Sequence, residues 1–195
     1  MSRQSELEYA TKETRTTVRL NLDGTGQAEI GTGIAFFDHM LEQLTFHGLF
    51  DLKLECRGDL EVDGHHTVED VGIALGRAID QALGERTGIR RFGEAHVPMD
   101  ETLARVALDF SGRPEFHFQG SFSGPRVGEM DTQLVTHFFK SLAMAARLTL
   151  HMALLYGEND HHKAEGLFKA LGRALDQALT ADPRRRGVSS TKGTL

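Results

Sequence analysis

Residues 65–83, HHTVEDVGIALGRAIDQAL, are repeated as HHKAEGLFKALGRALDQAL at residues 161–179. Twelve of the 19 aligned positions are identical, and the two copies start 96 residues apart in a chain of 195 residues. A repeat of this length, offset by about half the chain, indicates an internal duplication. The sequence therefore predicts a molecule made of two similar halves.

The repeated stretch has the pattern of an amphipathic helix. Apolar residues recur at spacings of three and four, which predicts that one helix face packs against a sheet. In the first copy these residues are Val68, Val71, Leu75, Ile79 and Ala82. Gly72 and Gly76 lie inside the same helix, where each costs about 1 kcal/mol relative to alanine. Close packing against another helix would explain both glycines.

Similar elements surround both copies of the repeat. A shorter amphipathic helix is predicted upstream of each copy, FFDHMLEQL at 36–44 and THFFKSLAMAARL at 136–148. A strand-like segment follows each of these helices, at 50–58 and 148–157. Two strands joined by a turn precede each helix, and we expect the two to pair. These predicted pairs are 14–22 with 26–34 across DGTG, and 102–110 with 114–122 across SGRP.

Each half therefore reads β-β-α-β-α, and LEV at 60–62 is a candidate for one more short strand. A helix with a single apolar stripe needs a sheet or another helix to cover it. The predicted fold class is α+β with two duplicated halves, each a small, mostly antiparallel sheet that has two helices on one face.

Composition narrows the class of protein. The chain carries 22 basic and 28 acidic side chains, a net charge of -6, so no nucleic-acid partner is expected. A single cysteine, Cys56, excludes a disulfide within the chain and favours a reducing, cytoplasmic location. The polar N-terminal residues do not resemble a signal peptide. No apolar run approaches the roughly 20 residues that span a bilayer, so no membrane association is expected.

Two HHxxE motifs present metal-binding side chains at helical spacing. His65 and Glu69 are separated by one helical turn, as are His161 and Glu165, so each pair shares a helix face. One imidazole and one carboxylate on adjacent turns can hold a single cation. Because the motif occurs in both copies of a duplication, a pair of metal sites is a better explanation than surface histidines at helix starts.

The second histidine of each motif, His66 or His162, projects in another direction and is expected to bind a second ion nearby. His39 and His137 on the upstream helices complete the donor set, which divides evenly into three histidines and one glutamate per ion. This set favours Mn²⁺ or Fe²⁺ over Ca²⁺, with Zn²⁺ as an alternative. The predicted metal ligands are His39, His65, His66, Glu69, His137, His161, His162 and Glu165.

The remaining histidines lack such a context. His96, His117 and His151 are expected to be ordinary core or surface residues. The position of His47 in TFHGLFDL is compatible with either a structural or a functional role.

Several blocks of the sequence together resemble the imidazoleglycerol-phosphate dehydratase family. They are FFDHMLEQLTFHGLFDL, DGHHTVEDVGIALG, LDFSGRP, DTQLVTHFFKSLA, NDHHKAEGLFKALGRAL, and DPRRRG with SSTKG. The similarity runs from about Thr11 to Lys192, with the blocks in order, and it resembles the stand-alone form of the family without a phosphatase domain.

The resemblance implies a fold like domain 2 of ribosomal protein S5. It implies one unit over residues 1–195, made of pseudo-repeats at about 1–92 and 93–187 and a tail, 188–195, that covers the substrate. It also implies a homo-oligomer of 24 subunits built from trimers, with active sites at subunit interfaces. The cofactor it implies is Mn²⁺, two ions per active site, held by the eight ligands predicted above.

The resemblance further implies a set of substrate contacts. Basic and hydroxyl side chains suited to phosphate match Arg91, Arg113, Lys169, Ser190 and Lys192. Glu13, His39 and His47 match positions near the substrate. Catalytic roles fall to Glu13, His65, Glu69, His161 and Glu165.

The implied reaction is loss of water from D-erythro-imidazole glycerol phosphate, giving imidazole acetol phosphate in histidine biosynthesis. The hydrogen to be removed is on a carbon that no neighbouring carbonyl activates. An imidazolate ring held between two Mn²⁺ ions would help to expel the hydroxyl group, and Glu13 is the candidate for moving protons. Two alternatives stay open at this point: another metal enzyme, such as a hydrolase, on the same ligands, and a non-catalytic metal-storage or assembly protein.

Overall fold

The computed structural model of the chain describes residues 3–195, so the first two residues of the predicted unit lie outside it. The first half contains β1 (Gln4–Ala10), β2 (Thr14–Asn21), β3 (Ala28–Gly31), α1 (Ala35–Gly48), β4 (Asp51–Gly58) and α2 (His65–Leu83). The second half contains β5 (Phe92–Met99), β6 (Thr102–Asp109), β7 (Glu115–Gln119), β8 (Arg126–Val127), β9 (Met130–Asp131), α3 (Thr132–Ala145), β10 (Thr149–Tyr156) and α4 (Asp160–Leu179).

The two halves have the same sheet topology. The first sheet has the strand order β1-β2-β4-β3 and the second has the order β5-β6-β10-β7. In each sheet three strands run antiparallel, and the last edge strand, β3 or β7, is parallel to its neighbour. This identity of order confirms the predicted α+β class with two duplicated halves. The short pair of β8 and β9 has no counterpart in the first half.

Three details of the strand prediction were wrong. The first strand of each half, β1 or β5, was not predicted. The exposed face of β1 carries residues such as Glu6 and Glu8, which are typical of a polar terminus. The expected pairing of 14–22 with 26–34, and of 102–110 with 114–122, does not form. Instead β3 and β7 pair with the strand that follows their helix, because a helical crossover returns the chain parallel to its start.

The third error concerns LEV at 60–62, which forms a turn and not a strand. The amide of Val62 donates to the carbonyl of Asp59 at 2.8 Å, so the backbone reverses locally before α2 begins. The side chains of Leu60 and Val62 are left exposed, at 38% and 66%.

Helices cover one face of each sheet, as predicted. In the first half α2 packs on β1, β2 and β4, while in the second half α4 packs on β5 and β6. The helices of the two halves also contact each other as the pairs α1 with α4 and α2 with α3. The core therefore lies between two sheets, with buried phenylalanines such as Phe37, Phe138 and Phe168 at the helix contacts.

Glycines allow the helices to approach closely where the halves meet. A Cβ added to Gly76 of α2 would lie 2.6 Å from the carbonyl oxygen of Leu142 in α3, and one added to Gly72 would lie 3.0 Å from that of Phe138. On the other side, a Cβ at Gly172 of α4 would lie 2.6 Å from the carbonyl oxygen of Leu44. Close helix packing is thus the reason for the glycines in the repeat. Among residues 3–195, every helix is too short or too polar to cross a membrane.

Candidate active site

One cluster of metal-binding side chains, the Glu165 cluster, joins His39 of α1 to His161 and Glu165 of α4. Glu165 Oε2 lies 2.9 Å from His161 Nε2 and 3.3 Å from His39 Nε2. Glu165 Oε1 lies 2.6 Å from Lys169 Nζ. Burial alone would raise the pKa of Glu165, but the hydrogen bonds from Lys169 and His161 outweigh it and hold the pKa below its ordinary value.

A second cluster, the Glu69 cluster, joins His65 and Glu69 of α2 to His137 of α3. The rings of His65 and His137 have centroids 4.5 Å apart, and His137 Nε2 lies 3.3 Å from Glu69 Oε1. His137 Nε2 is nevertheless buried without a hydrogen bond, since that contact lacks hydrogen-bond geometry. In each cluster one ligand atom from every residue lies within 4.8 Å of the others, a spacing that suits a single cation.

Both clusters combine helices from different halves of the duplication. α1 belongs to the first half and α4 to the second, whereas α2 belongs to the first half and α3 to the second. The contacts between α1 and α4, and between α2 and α3, bring the clusters together. Each HHxxE motif therefore meets a histidine from the other copy of the repeat, a pairing that the sequence did not predict.

A side-chain oxygen from a residue just before each HHxxE helix accepts hydrogen bonds from its first amides. Asn159 Oδ1 accepts from the amides of His161 and His162, at 2.9 and 3.4 Å. Asp63 Oδ1 accepts from the amide of His65 at 2.7 Å. Such hydrogen bonds satisfy amides that have no partner within the helix. They hold the first turn in place, so the two histidines of each motif face in fixed and different directions.

His66 and His162 lie outside the two clusters within this chain. His66 Nδ1 lies 3.1 Å from Asp59 Oδ2, and its Nε2 lies 3.9 Å from Glu13 Oε1. The hydrogen bond that His66 donates to the Asp59 carboxylate raises the pKa of His66. A carboxylate on Nδ1 leaves Nε2 as the nitrogen available to a metal, an arrangement common at metal-binding histidines.

His162 has the same arrangement in the second half. Its Nδ1 lies 2.7 Å from Glu101 Oε2, which raises the pKa of the imidazole, and its Nε2 lies 3.8 Å from Asp100 Oδ2. Glu101 also accepts from the amides of Asn159 and Glu158, at 2.8 and 3.1 Å. These hydrogen bonds, that of Asn159 above all, hold the pKa of Glu101 well below its ordinary range.

Four of the predicted phosphate contacts line one pocket of about 450 Å³ on the surface. They are Arg91, Arg113, Ser190 and Lys192. The Arg91 guanidinium binds Asp109 through Nε and Nη2, at 2.6 and 2.8 Å, and donates from Nη1 to the carbonyl of Ser189 at 2.6 Å. Arg91 therefore anchors the C-terminal tail beside the pocket, while the side chain of Arg113 is exposed.

The tail is tied to the body of the protein. The amide of Gly88 donates to the carbonyl of Gly187 at 3.0 Å, and Val188 forms an antiparallel bridge with Thr87. Ser189 is only 7% exposed. The tail residues up to Ser189 are therefore part of the folded unit.

Lys169, the fifth predicted phosphate contact, is not in this pocket but contacts Glu165. His47 of α1 lies close to Lys169 and Arg173: burial, followed by the positive charges of these two side chains, lowers the pKa of His47. The structure thus places Lys169 and His47 beside the Glu165 cluster.

The pocket and the Glu165 cluster lie at opposite ends of α4. The amide of Arg91 donates to the carbonyl of Ala178 near the end of this helix, whereas His161 is in its first turn. At 1.5 Å per residue this separation is roughly 26 Å. The pocket of one chain therefore cannot reach the Glu165 cluster of the same chain with a small substrate.

Some residues of the site were not predicted from the sequence. Asp59 and Glu101, which bind the Nδ1 atoms of the second histidines, have no regular spacing to them, since Glu101 comes from the turn between β5 and β6. Arg185 lines the pocket with the four predicted residues, and its place in the basic run DPRRRG was the available signal.

The three histidines expected to be structural lie away from the clusters. His96, His117 and His151 are exposed on strands of the second sheet, where His117 and His151 are neighbours across the parallel pair of β7 and β10.

Together these features define the class of protein: a duplicated α+β fold in which paired helices present two clusters of histidine and glutamate suited to divalent metal ions. Comparison with known proteins then gives the family. The family model for imidazoleglycerol-phosphate dehydratase matches residues 32–175. The chain belongs to the imidazoleglycerol-phosphate dehydratase family and is an enzyme, a carbon–oxygen hydro-lyase.

Relatives with this name cover nearly the whole chain. One from Exiguobacterium sp. is 54% identical over 98% of this chain and 97% of the relative. One from Acetivibrio thermocellus is 54% identical over 100% of both chains. The crystal structure of imidazoleglycerol-phosphate dehydratase from Staphylococcus aureus has a TM-score of 0.83 and 39% identity, covering 92% of this chain and 99% of that chain. The corresponding enzyme from Pyrococcus furiosus has a TM-score of 0.81 and 35% identity, covering 97% of this chain and 100% of that chain.

Proposed function

We propose that this enzyme dehydrates D-erythro-imidazole glycerol phosphate to imidazole acetol phosphate in histidine biosynthesis, in the cytoplasm. The observation that carries the proposal is the pair of clusters, each with two imidazoles and one carboxylate whose ligand atoms lie within 4.8 Å of one another. A planar imidazole ring has two nitrogens on opposite edges, so it can contact two cations at once. Two paired cation sites therefore suit this substrate.

The donor atoms fit divalent metal ions. His137 Nε2 is buried without a hydrogen-bond partner, a costly arrangement that a bound cation would relieve. Mixed imidazole and carboxylate donors suit Mn²⁺ and other first-row metals. We assign two Mn²⁺ ions to each active site, held by the eight ligands predicted above, with His66 and His162 supplying the third imidazole of each set. When bound, the ions would supply electrostatic stabilisation for the ring in its imidazolate form.

Completion of the site requires more than one subunit. Within a chain His66 and His162 face away from the two clusters, and the phosphate pocket lies about 26 Å from the start of α4. A homo-oligomer in which neighbouring chains contribute these parts solves both problems, because symmetric copies meet through the same surfaces. We propose the shell of 24 subunits built from trimers that the family resemblance implies.

The substrate phosphate binds in the pocket of Arg91, Arg113, Ser190 and Lys192, together with Lys169 from another subunit. Arginine suits phosphate because its planar fork donates two hydrogen bonds. The unit comprises the two pseudo-repeats at about 1–92 and 93–187, and the tail at 188–195 covers the bound substrate. His39 and His47 lie on the substrate-facing side of α1. Phosphate contacts far from the reacting carbons orient the side chain for the chemical step.

The protein side chain that moves protons is Glu13. Its Oε1 lies 3.9 Å from His66 Nε2 and its side chain is 52% exposed, so it borders a ligand and remains open to a substrate. The reaction removes a hydroxyl group from one carbon and a hydrogen from its neighbour, which leave together as water, and the resulting enol becomes a ketone. Glu13 accepts the carbon-bound proton or delivers a proton to the departing hydroxyl group. His65, Glu69, His161 and Glu165 act by holding the ions.

Incubation with the proposed substrate tests this function. The full-length chain loaded with Mn²⁺ is expected to convert imidazole glycerol phosphate to imidazole acetol phosphate, with ketone formation measured by NMR. A matched chain with Glu69→Gln and Glu165→Gln should lose this activity. Absence of turnover by the metal-loaded protein, or equal turnover by the double variant, would contradict the proposal.

A further inference from the structure

The two clusters are duplicates of each other, but they differ in one charged side chain. Lys169 lies one helical turn after Glu165, with its Nζ 2.6 Å from Glu165 Oε1. The same place in the first copy of the repeat, 96 residues earlier, is occupied by Ile73. Glu69 therefore has no lysine at the matching position, and its side chain is 39% exposed against 7% for Glu165.

The hydrogen bonds inside the clusters also make the Glu165 cluster the harder of the two for a cation to enter. Glu165 Oε2 is hydrogen-bonded to Nε2 of both His161 and His39. In the Glu69 cluster, His137 Nε2 has no hydrogen bond at all. A cation that enters the Glu165 cluster must replace two histidine–carboxylate hydrogen bonds. One that enters the Glu69 cluster replaces only the 3.3 Å contact of His137 Nε2 with Glu69 Oε1, which lacks hydrogen-bond geometry.

Two other charges would reduce this difference between the clusters, since a negative charge lies beside the Glu165 cluster and a positive charge lies near the Glu69 cluster. Glu42 Oε2 lies 3.9 Å from His39 Nδ1, beside the Glu165 cluster, but its side chain is 53% exposed. Lys140 lies one turn after His137 on α3 and is exposed. Water and salt screen such exposed charges strongly. Lys169 is only 22% exposed and touches a ligand carboxylate directly, so its effect dominates.

We propose that Lys169 makes the two metal sites unequal, so that Mn²⁺ fills the Glu69 cluster first and binds the Glu165 cluster more weakly. The ammonium group partly neutralises the negative charge of the Glu165 carboxylate and repels the incoming dication. Lys169 also orients Glu165, which favours metal binding, but the positive charge that Lys169 places beside the ionised carboxylate is the larger effect for a doubly charged ion. This effect of Lys169 on metal binding is separate from its proposed contact with the substrate phosphate, and the inference rests on the proposal that each chain binds two ions.

Metal titration tests the inference. The metal-stripped, full-length chain is titrated with Mn²⁺ while the free ion is measured by electron paramagnetic resonance. The natural chain is expected to show two binding steps that differ at least about tenfold in Kd. In Lys169→Met the weaker step should tighten towards the first. Lys169→Arg, which keeps a cation beside Glu165, should retain the difference in Kd between the two steps.

The duplication offers a matched control in Ile73→Lys. This variant places a lysine one turn after Glu69 and should weaken the tighter step while leaving the weaker one in place. Equal affinities in the natural chain, or a gap that Lys169→Met leaves unchanged, would overturn the inference and leave the two-ion proposal standing. Fewer than two ions bound by the natural chain would overturn both. Should Ile73→Lys unfold on thermal denaturation, the comparison of Lys169→Met with Lys169→Arg decides.

Discussion

Adjacent histidines on one helix point towards different neighbours, because successive residues are rotated by about 100° around the helix axis. His161 faces Glu165 within the cluster, whereas His162 faces Glu101 on another element. The one-turn spacing of His161 and Glu165 made their shared face predictable from sequence alone. The carboxylate beside His162 was not predictable, because Glu101 is brought to it by the packing of a strand turn 61 residues away.

Removal of His162 tests its assignment as a metal ligand. His162→Ala should lower both the Mn²⁺ content and kcat/KM, since one imidazole of a proposed ligand set is lost. The matched control is His96→Ala, because His96 is exposed on the outer sheet and lies in neither cluster. Metal analysis and a rate assay on the same preparations decide the matter. Full metal content in His162→Ala would remove this residue from the ligand set.

Glu13 offers a separate test at the residue scale. Glu13→Gln keeps the shape of the side chain but cannot accept a proton, so kcat should fall by about 10²-fold or more while Mn²⁺ content stays the same. Glu55→Gln, an exposed glutamate on β4, serves as the control and should have little effect. A near-normal kcat for Glu13→Gln with metals bound would rule out its role in moving protons.

At the scale of elements, local pattern predicted the helices better than the strand partners. The spacing of apolar residues predicted α2 and α4 in the repeated stretch and α1 and α3 upstream of it. Burial of one helix face leaves a clear periodic signal in the sequence. The pairing of β3 with β4 depends on the path of the chain through α1, a long-range feature that turn residues such as DGTG do not encode. Asp51 Oδ1 accepts from the amides of Thr25 and Gln27, at 2.8 and 3.0 Å. These hydrogen bonds hold that turn beside β4 instead of in a hairpin.

The contact between α2 and α3 leads to a stability prediction. In Gly76→Ala the new methyl group would lie 2.6 Å from the carbonyl oxygen of Leu142, so the helices must separate. Overpacking of this kind typically costs about 1–3 kcal/mol, which exceeds the gain in helix propensity. Gly31→Ala is the control, since a Cβ there meets nothing within 4 Å. Denaturant unfolding would contradict the packing if Gly76→Ala were as stable as the natural chain.

At the scale of the whole molecule, the parts of the proposed site are distributed over the ends of long helices. The two clusters lie at the N-terminal ends of α2 and α4, while the pocket proposed to bind phosphate lies near the C-terminal end of α4. The sequence showed which residue types are involved, but it could not show this separation, because the distance depends on where each helix starts and which strand packs on its far end.

Mixed oligomers test whether chains share active sites. Glu165→Gln damages a cluster and Arg113→Ala damages the pocket, so each variant alone should be strongly impaired. Mixing equal amounts by co-expression should restore about a quarter of the normal activity, since a random site then draws an intact Glu165 and an intact Arg113 from different chains with that probability. Recovery no greater than the average of the two separate variants would show that one chain supplies both parts.

Restoration of activity by metal is the most direct test that the helix-borne clusters carry the chemistry. The full-length chain is stripped with a chelator, Mn²⁺ is returned in steps, and bound metal and water loss from imidazole glycerol phosphate are measured on the same samples. We expect almost no turnover without metal and full turnover when two ions per chain are bound. Full turnover by a chain free of metal would contradict the assignment of both clusters.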